Sequence, residues 1–206
     1  MRDPLLVISC GALAREVAQL RKIKGFEHLH LKCIDARLHN RPDEIPAELR
    51  KKIRKYRGQY ANIYVAYGDC GTCGGIDRVV EVEGVERLPG AHCYQIFAGQ
   101  EAFARLADDE PGTFYLTDFL VRNFDRLVIK ALKLDKHPEL LPDFFGNYRR
   151  IVYLAQTECQ DLQNAASRAA AYLGLRYKYV FTGYGGLEYG LRQALSRRDT
   201  CPETQK

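Results

Sequence analysis

The sequence predicts an α/β fold: a mostly parallel sheet flanked by helices, Rossmann-like, with room for two packed α/β halves. Three observations carry that prediction. Short runs rich in Val, Ile, Leu and Tyr recur along the chain. Segments with apolar residues at helical spacing separate them. Several of the runs empty into glycine-bearing turns, as strands feeding crossover helices do.

The elements follow in order. Residues 5–9 (LLVIS) read as a strand buried on both faces. Leu13, Val17, Leu20 and Ile23 then recur at helical spacing, so a helix is expected over 12–24, stopped by Gly25. A second strand is expected at 29–35, with Cys33 in its interior as a core residue. The loop ARLHNRPDEIP holds two prolines and leads to a helix over 47–56 with acidic first-turn chemistry. A third strand at 63–67 meets a glycine-rich turn at 68–75, a helix at 76–82 and a fourth strand at 85–88. A helix at 94–107 carries Gly99, which weakens it. Strand 111–116 precedes Thr117-Asp118, an N-cap pair for a helix at 119–132. A short helix and a connection fill 136–150. Strand 151–155, an alanine-rich helix at 160–173 ended by Gly174, strand 176–181 and a helix at 187–196 complete the chain.

Residues 1–198 are expected to form one α/β domain, with a sub-boundary near 110 or within 136–148. Residues 199–206 are expected to be a flexible tail. At 206 residues and 46% apolar, the chain is long enough for a sizeable core. No apolar run approaches the roughly 20 residues of a membrane span, and the start reads as a strand rather than a signal peptide. The net charge of +5 is scattered. The cluster RKKIRKYR at 50–57 reads as a solvated helix face with Ile53 and Tyr56 as its apolar stripe, so neither a nucleic acid nor a membrane is expected as partner. Seven cysteines, an odd number, argue against a closed disulfide framework and for reduced thiols in the cytoplasm.

Those cysteines carry the functional expectation. Cys10, Cys70 and Cys93 each follow a predicted strand, so all three are expected at the carboxyl edge of the sheet, where α/β proteins bind ligands. Each also stands at a helix N-terminus, which is expected to lower its pKa. Cys70 and Cys73 form a C-x-x-C with no second such pair. Cys159 and Cys201 look peripheral. His92, beside Cys93, reads as a ligand, a base or a cap. His39 and Arg41, in the loop after the second strand, read as an anion clamp. Gly183-Tyr184-Gly185-Gly186 resembles a phosphate-cradling turn but lacks the P-loop lysine.

CGALAREV (10–17), LHNRP (38–42), YGDCGT (67–72) and PGAHCY (89–94), extended by PGTFYLTDF (111–119) and GNYRRIVYLAQT (146–157), together resemble a family of unknown function, DUF1638. The chain departs from the expected pattern at Cys73, where a glycine is anticipated, so Cys73 is a weaker ligand candidate than Cys70. The resemblance implies a setting beside corrinoid-dependent methyltransferases and their reactivation proteins, in methylamine or betaine-type one-carbon metabolism.

The leading expectation is a cytoplasmic α/β protein holding zinc, iron or an iron–sulfur cluster on Cys10, Cys70 and Cys93, with His92 as fourth ligand. A small-molecule ligand would be oriented by His39, Arg41 and Tyr184, and a corrinoid protein or methyltransferase would be the partner. The alternatives are a metal-free enzyme using a cysteine nucleophile or cysteine acid–base pair, and a non-enzymatic protein that binds a small anion or a partner.

Overall fold

The computed structural model describes residues 4–200, with side chains through Arg197. Cys201 and the rest of the expected tail beyond Thr200 lie outside the described residues. The chain divides into two compact units. One carries the chain up to Ile96 and again from Tyr184 onward; the other runs Phe97–Gly183. The divisions fall after Ile96 and after Gly183.

The first unit is built on a four-stranded parallel sheet: β1 (Leu5–Cys10), β2 (Leu29–Ile34), β3 (Asn62–Ala66) and the short β4 (Glu86–Arg87), in the order β2-β1-β3-β4. β1 is central, and its run LLVISC is buried throughout because both faces are covered. Leu6, Val7 and Ile8 are fully buried, each stabilising the fold by about 1.5–3 kcal/mol relative to an exposed side chain. β2 is an edge strand buried only at its two ends, Leu29 and Ile34. That edge position corrects the expectation for Cys33, which is exposed rather than core.

The helices of this unit are α1 (Ala14–Leu20), α2 (Ile45–Arg57), α3 (Gly75–Glu83), α4 (Cys93–Ala98, which runs into the second unit) and, after the return of the chain, α9 (Gly185–Thr200). α1 is shorter than its periodicity predicts; a 3-10 turn at Gly11–Leu13 precedes it. α2 buries Ile45, Leu49 and Ile53, the expected apolar stripe. Its basic residues are not all solvated. Arg54 donates to the Glu83 carboxylate at 2.8 Å, Arg57 donates to the Glu83 carboxylate and carbonyl, and Arg50 lies 3.8 Å away, clamping α2 onto α3. α9 buries Leu187 and Leu191. A side chain at Gly186 would press within 2.7 Å of the Ile96 carbonyl, so close helix packing accounts for a glycine in the turn expected to cradle phosphate.

The second unit has a three-stranded parallel sheet: β5 (Thr113–Thr117), β6 (Arg150–Ala155) and β7 (Arg176–Phe181), in the order β5-β6-β7. The expected helix at 94–107 is two helices, α4 and α5 (Gln100–Asp109), broken at Gly99. The expected helix at 119–132 is also interrupted. α6 (Asp118–Arg122) ends where the Asn123 amide donates to the Phe119 carbonyl at 2.8 Å, and a π-helical turn follows at Asp125–Ile129. A side chain that bonds the backbone in this way competes with the helical ladder. α7 (Leu141–Phe145) and α8 (Gln160–Leu173) complete the unit. Its core joins Leu116, Val121, Ile151, Tyr153, Leu162 and Ala166, with Cys159 partly buried against it.

Among the described residues no helix is long and apolar enough to cross a membrane.

Candidate functional site

In the first sheet the strand order creates a reversal. The chain leaves β1 for β2 on one side, then passes over β1 to reach β3 and β4 on the other. The exits of β1 and β3 therefore diverge, and such a switch point is where open α/β sheets bind ligands. Cys10 ends β1, Cys70 lies four residues past β3, and Cys93 lies six past β4. The three thiol-bearing strands are consecutive neighbours in the sheet.

Local chemistry brings the three exit turns together. A side chain at Gly68 would lie 2.8 Å from the His92 Cα, so only glycine lets the turn after β3 approach the turn after β4 this closely. Two backbone hydrogen bonds tie them: Asp69 N–H donates to the Gly90 carbonyl at 3.0 Å, and Cys70 N–H to the Ala91 carbonyl at 2.7 Å. Cys70 takes a left-handed backbone, with φ of 50°, a conformation that costs an L-residue energy and persists where its surroundings enforce it. The Asp69 carboxylate organises the rest of the turn, accepting from the Thr72 hydroxyl at 2.6 Å and from the backbone N–H groups of Gly74 and Cys73 at 2.9 and 3.1 Å. Burial works to raise the Asp69 pKa, but those donors outweigh it and hold the carboxyl below its ordinary value. Arg87, paired with Asp77, donates to the carbonyls of Leu88 and Gly90 and fixes the exit of β4.

The three sulfurs sense one another. Burial pushes the Cys10 thiol up to about 11, against the opposing Ala12 N–H, which donates to its sulfur at 3.3 Å. Burial, then repulsion from Cys10 and Asp69, pushes Cys70 up to about 12. Cys93 is raised by burial and by repulsion from Cys70 and Cys10. The expectation of lowered thiol pKa values is thereby corrected: the backbone donors at the turns act in the anticipated direction, but desolvation and mutual repulsion are larger. In each case burial favours the neutral thiol over the thiolate.

Tyr67 stands among them. Its hydroxyl is fully buried, interacts with the Cys10 thiol, and makes no hydrogen bond of proper geometry among the described residues. Burial and the thiols at Cys10, Cys70 and Cys93 raise its pKa. The His39 ring stacks on Tyr67, 5.8 Å between centroids at an interplanar angle of 16°. Its Nε2 lies 3.8 Å from Cys10 Sγ, while Nδ1 pairs with the Ala36 carbonyl at 2.8 Å. His39, expected to orient a ligand at this edge, therefore stands beside Cys10 and Tyr67.

The other candidates stand as follows. The His92 Nδ1 accepts from the Gln95 N–H at 3.4 Å in the first turn of α4, and burial lowers its pKa. Arg41 is exposed and donates to Glu44 at 2.8 Å. Tyr184 immediately precedes α9 and accepts at its carbonyl from the Leu187 N–H at 3.0 Å. Cys73 is exposed. Among the described residues no group of three or more His, Cys, Asp or Glu side chains is arranged to hold a metal ion.

The second unit has its own polar cluster at the carboxyl edge. Asp118, buried where β5 meets α6, accepts from the Tyr153 hydroxyl at 2.7 Å, the Gln156 N–H at 2.9 Å and the Thr157 hydroxyl at 2.6 Å. The Gln156 side chain accepts in return from the Asp118 N–H at 2.8 Å. Thr117 caps α6 as its sequence predicts, accepting from the Leu120 N–H.

An α/β protein with a thiol-lined sheet edge is the class these features define. The chain belongs to the family DUF1638, described as a protein of unknown function, whose model matches residues 33–191. That span includes His39, Cys70, His92 and Cys93, and leaves Cys10 on β1 outside it. No protein of curated function and no solved structure matched the chain.

Proposed function

We propose that the first unit binds a soft metal ion, zinc or iron, or an iron–sulfur cluster, through Cys10, Cys70 and Cys93. The observation that carries this reading is the convergence, at the strand-order reversal, of the three strand exits that bear these thiols, the turns after β3 and β4 being tied by backbone hydrogen bonds. Ionising any one of them alone is unfavourable, and a soft cation supplies the charge that makes ionising all three favourable. Binding a divalent ion through them releases three protons to solvent. The donor set fits such a group: thiolates suit zinc and iron–sulfur centres. The buried Tyr67 hydroxyl, whose contact with Cys10 falls short of a well-formed hydrogen bond, is a further polar group that an occupant of this edge could engage. Because the metal-free arrangement is not a ready-made metal cluster, binding includes a movement of side chains that draws the sulfurs inward.

A bound ion with an open position would polarise or hold a small molecule that reaches this edge. The Tyr67 hydroxyl, at the same edge, would face it, while Arg41 could do so only after leaving Glu44, to which it donates at 2.8 Å. The role in this reading is accessory or catalytic in corrinoid-linked one-carbon chemistry in the cytoplasm, with a corrinoid protein or methyltransferase as partner, on the strength of the family resemblance. The metal-free alternative, a thiolate nucleophile, gains nothing from thiols held neutral.

Anaerobic purification followed by elemental analysis tests the reading. The expected result is stoichiometric zinc or iron, lost when Cys10, Cys70 and Cys93 are all changed to serine. A colourless wild-type protein without stoichiometric zinc or iron would count decisively against it.

A further inference from the structure

We infer that His39, through Nε2, is the nitrogen donor that completes the thiol site, and that His92 is not. The inference rests on the metal reading above and deepens it.

The Ala36 carbonyl oxygen only accepts, so the His39 Nδ1 atom facing it at 2.8 Å carries the proton. In the neutral ring the lone pair is then on Nε2, and Nε2 faces Cys10 Sγ. A backbone carbonyl on one ring nitrogen with the other presented inward is how metal-ligating histidines are held. The stack against Tyr67 fixes the plane of the ring. The turn that carries His39 is itself anchored, since Asp35 accepts from the Arg37 N–H at 2.9 Å and caps it.

The distance agrees. Zinc–sulfur and zinc–nitrogen bonds in a tetrahedral site place the two donor atoms about 3.6 Å apart. The observed separation of 3.8 Å between Cys10 Sγ and His39 Nε2 is within a few tenths of an ångström of that value. Cys10 and His39 thus form a preset pair on which Cys70 and Cys93 close. His39 is exposed, so an ion reaches the pair from solvent. His92 has the opposite character: its Nδ1 accepts a hydrogen bond from the turn of its own helix, and its backbone is wedged against Gly68.

Cobalt(II) titration of the full chain, made metal-free, separates the possibilities. The wild-type protein should show a thiolate-to-cobalt charge-transfer band and the visible bands of a tetrahedral ion. His39→Ala should keep the charge-transfer band, weaken cobalt binding by at least about 10-fold and shift the visible bands. His39→Cys should restore affinity and intensify the charge-transfer band. His92→Ala should match wild type. Because His39 is exposed, far-UV circular dichroism should be unchanged in both His39 variants.

Wild-type affinity and spectrum in His39→Ala would overturn the inference while leaving the metal reading intact, as would finding these losses in His92→Ala instead. Absence of a charge-transfer band in the wild-type protein, or its persistence in the triple cysteine-to-serine variant, would overturn the metal reading and this inference with it.

Discussion

Each unit ends a parallel sheet in a cluster of polar side chains, and the two clusters differ in one respect. Around Asp118 every strong donor has an acceptor: both carboxylate oxygens are occupied, and Tyr153, Gln156 and Thr157 all donate to it. Around Cys10, Cys70 and Cys93 burial and the neighbouring sulfurs oppose ionisation of each thiol, and the buried Tyr67 hydroxyl is left without a proper hydrogen bond. A buried network that satisfies itself rigidifies a fold, whereas one that does not carries a cost that a ligand relieves. Strand order points the same way. The order β5-β6-β7 has no reversal, while β2-β1-β3-β4 reverses between the exits of β1 and β3. The Asp118 cluster therefore reads as a rivet and the thiol cluster as a receptor.

The largest effect expected from this contrast is at alkaline pH. A thiol that ionises near pH 8.5 in the unfolded chain and only near 11 for Cys10, or 12 for Cys70, in the native fold binds its proton longer when folded. The stability it contributes is complete below the unfolded pKa and falls as pH rises toward the native value, by about 1.4 kcal/mol per pH unit per thiol. Urea unfolding of metal-free protein at pH 7, 8.5 and 10 should show a steeper alkaline loss in wild type than in a variant with Cys10, Cys70 and Cys93 all changed to alanine. Parallel pH profiles would remove the distinction between the clusters.

Next in size is Asp118→Ala, which strands two buried donors and a part-buried one and should cost about 3 kcal/mol in the unfolding free energy. A cost under about 1 kcal/mol would show that the rivet bears little of the second unit's stability.

The finest comparison sets two tyrosines side by side. Tyr153→Phe removes a hydroxyl that donates to a buried carboxylate and should destabilise by about 1.5–3 kcal/mol. Tyr67→Phe removes a buried hydroxyl with no proper partner and should leave the metal-free protein within about 0.5 kcal/mol of wild type, or slightly more stable. Chemical denaturation of the two variants in one buffer suffices, and equal costs would abolish the contrast.

Much of the fold was legible from local pattern. Seven apolar runs became seven parallel strands. The alanine-rich segment ended by Gly174 is the helix Gln160–Leu173, and Thr117 is the N-cap that its side chain suits. The departures have local causes visible only afterwards: Asn123 turning back onto its helix, and Cys33 exposed because β2 is an edge strand. Part of the candidate site was also readable, because a residue just past a strand must lie at the sheet's carboxyl edge.

By itself the sequence determined which residues reach that edge, since the periodicity of strand and helix sets where each turn falls. Only the tertiary structure decided which of them meet. Strand order made β1, β3 and β4 neighbours, and the long-range stack of His39 on Tyr67 brought a histidine to Cys10 across residues that share no sequence pattern. The sign of the thiol pKa shifts was likewise a tertiary property. The backbone donors near each sulfur are local, but desolvation and repulsion depend on everything packed around it.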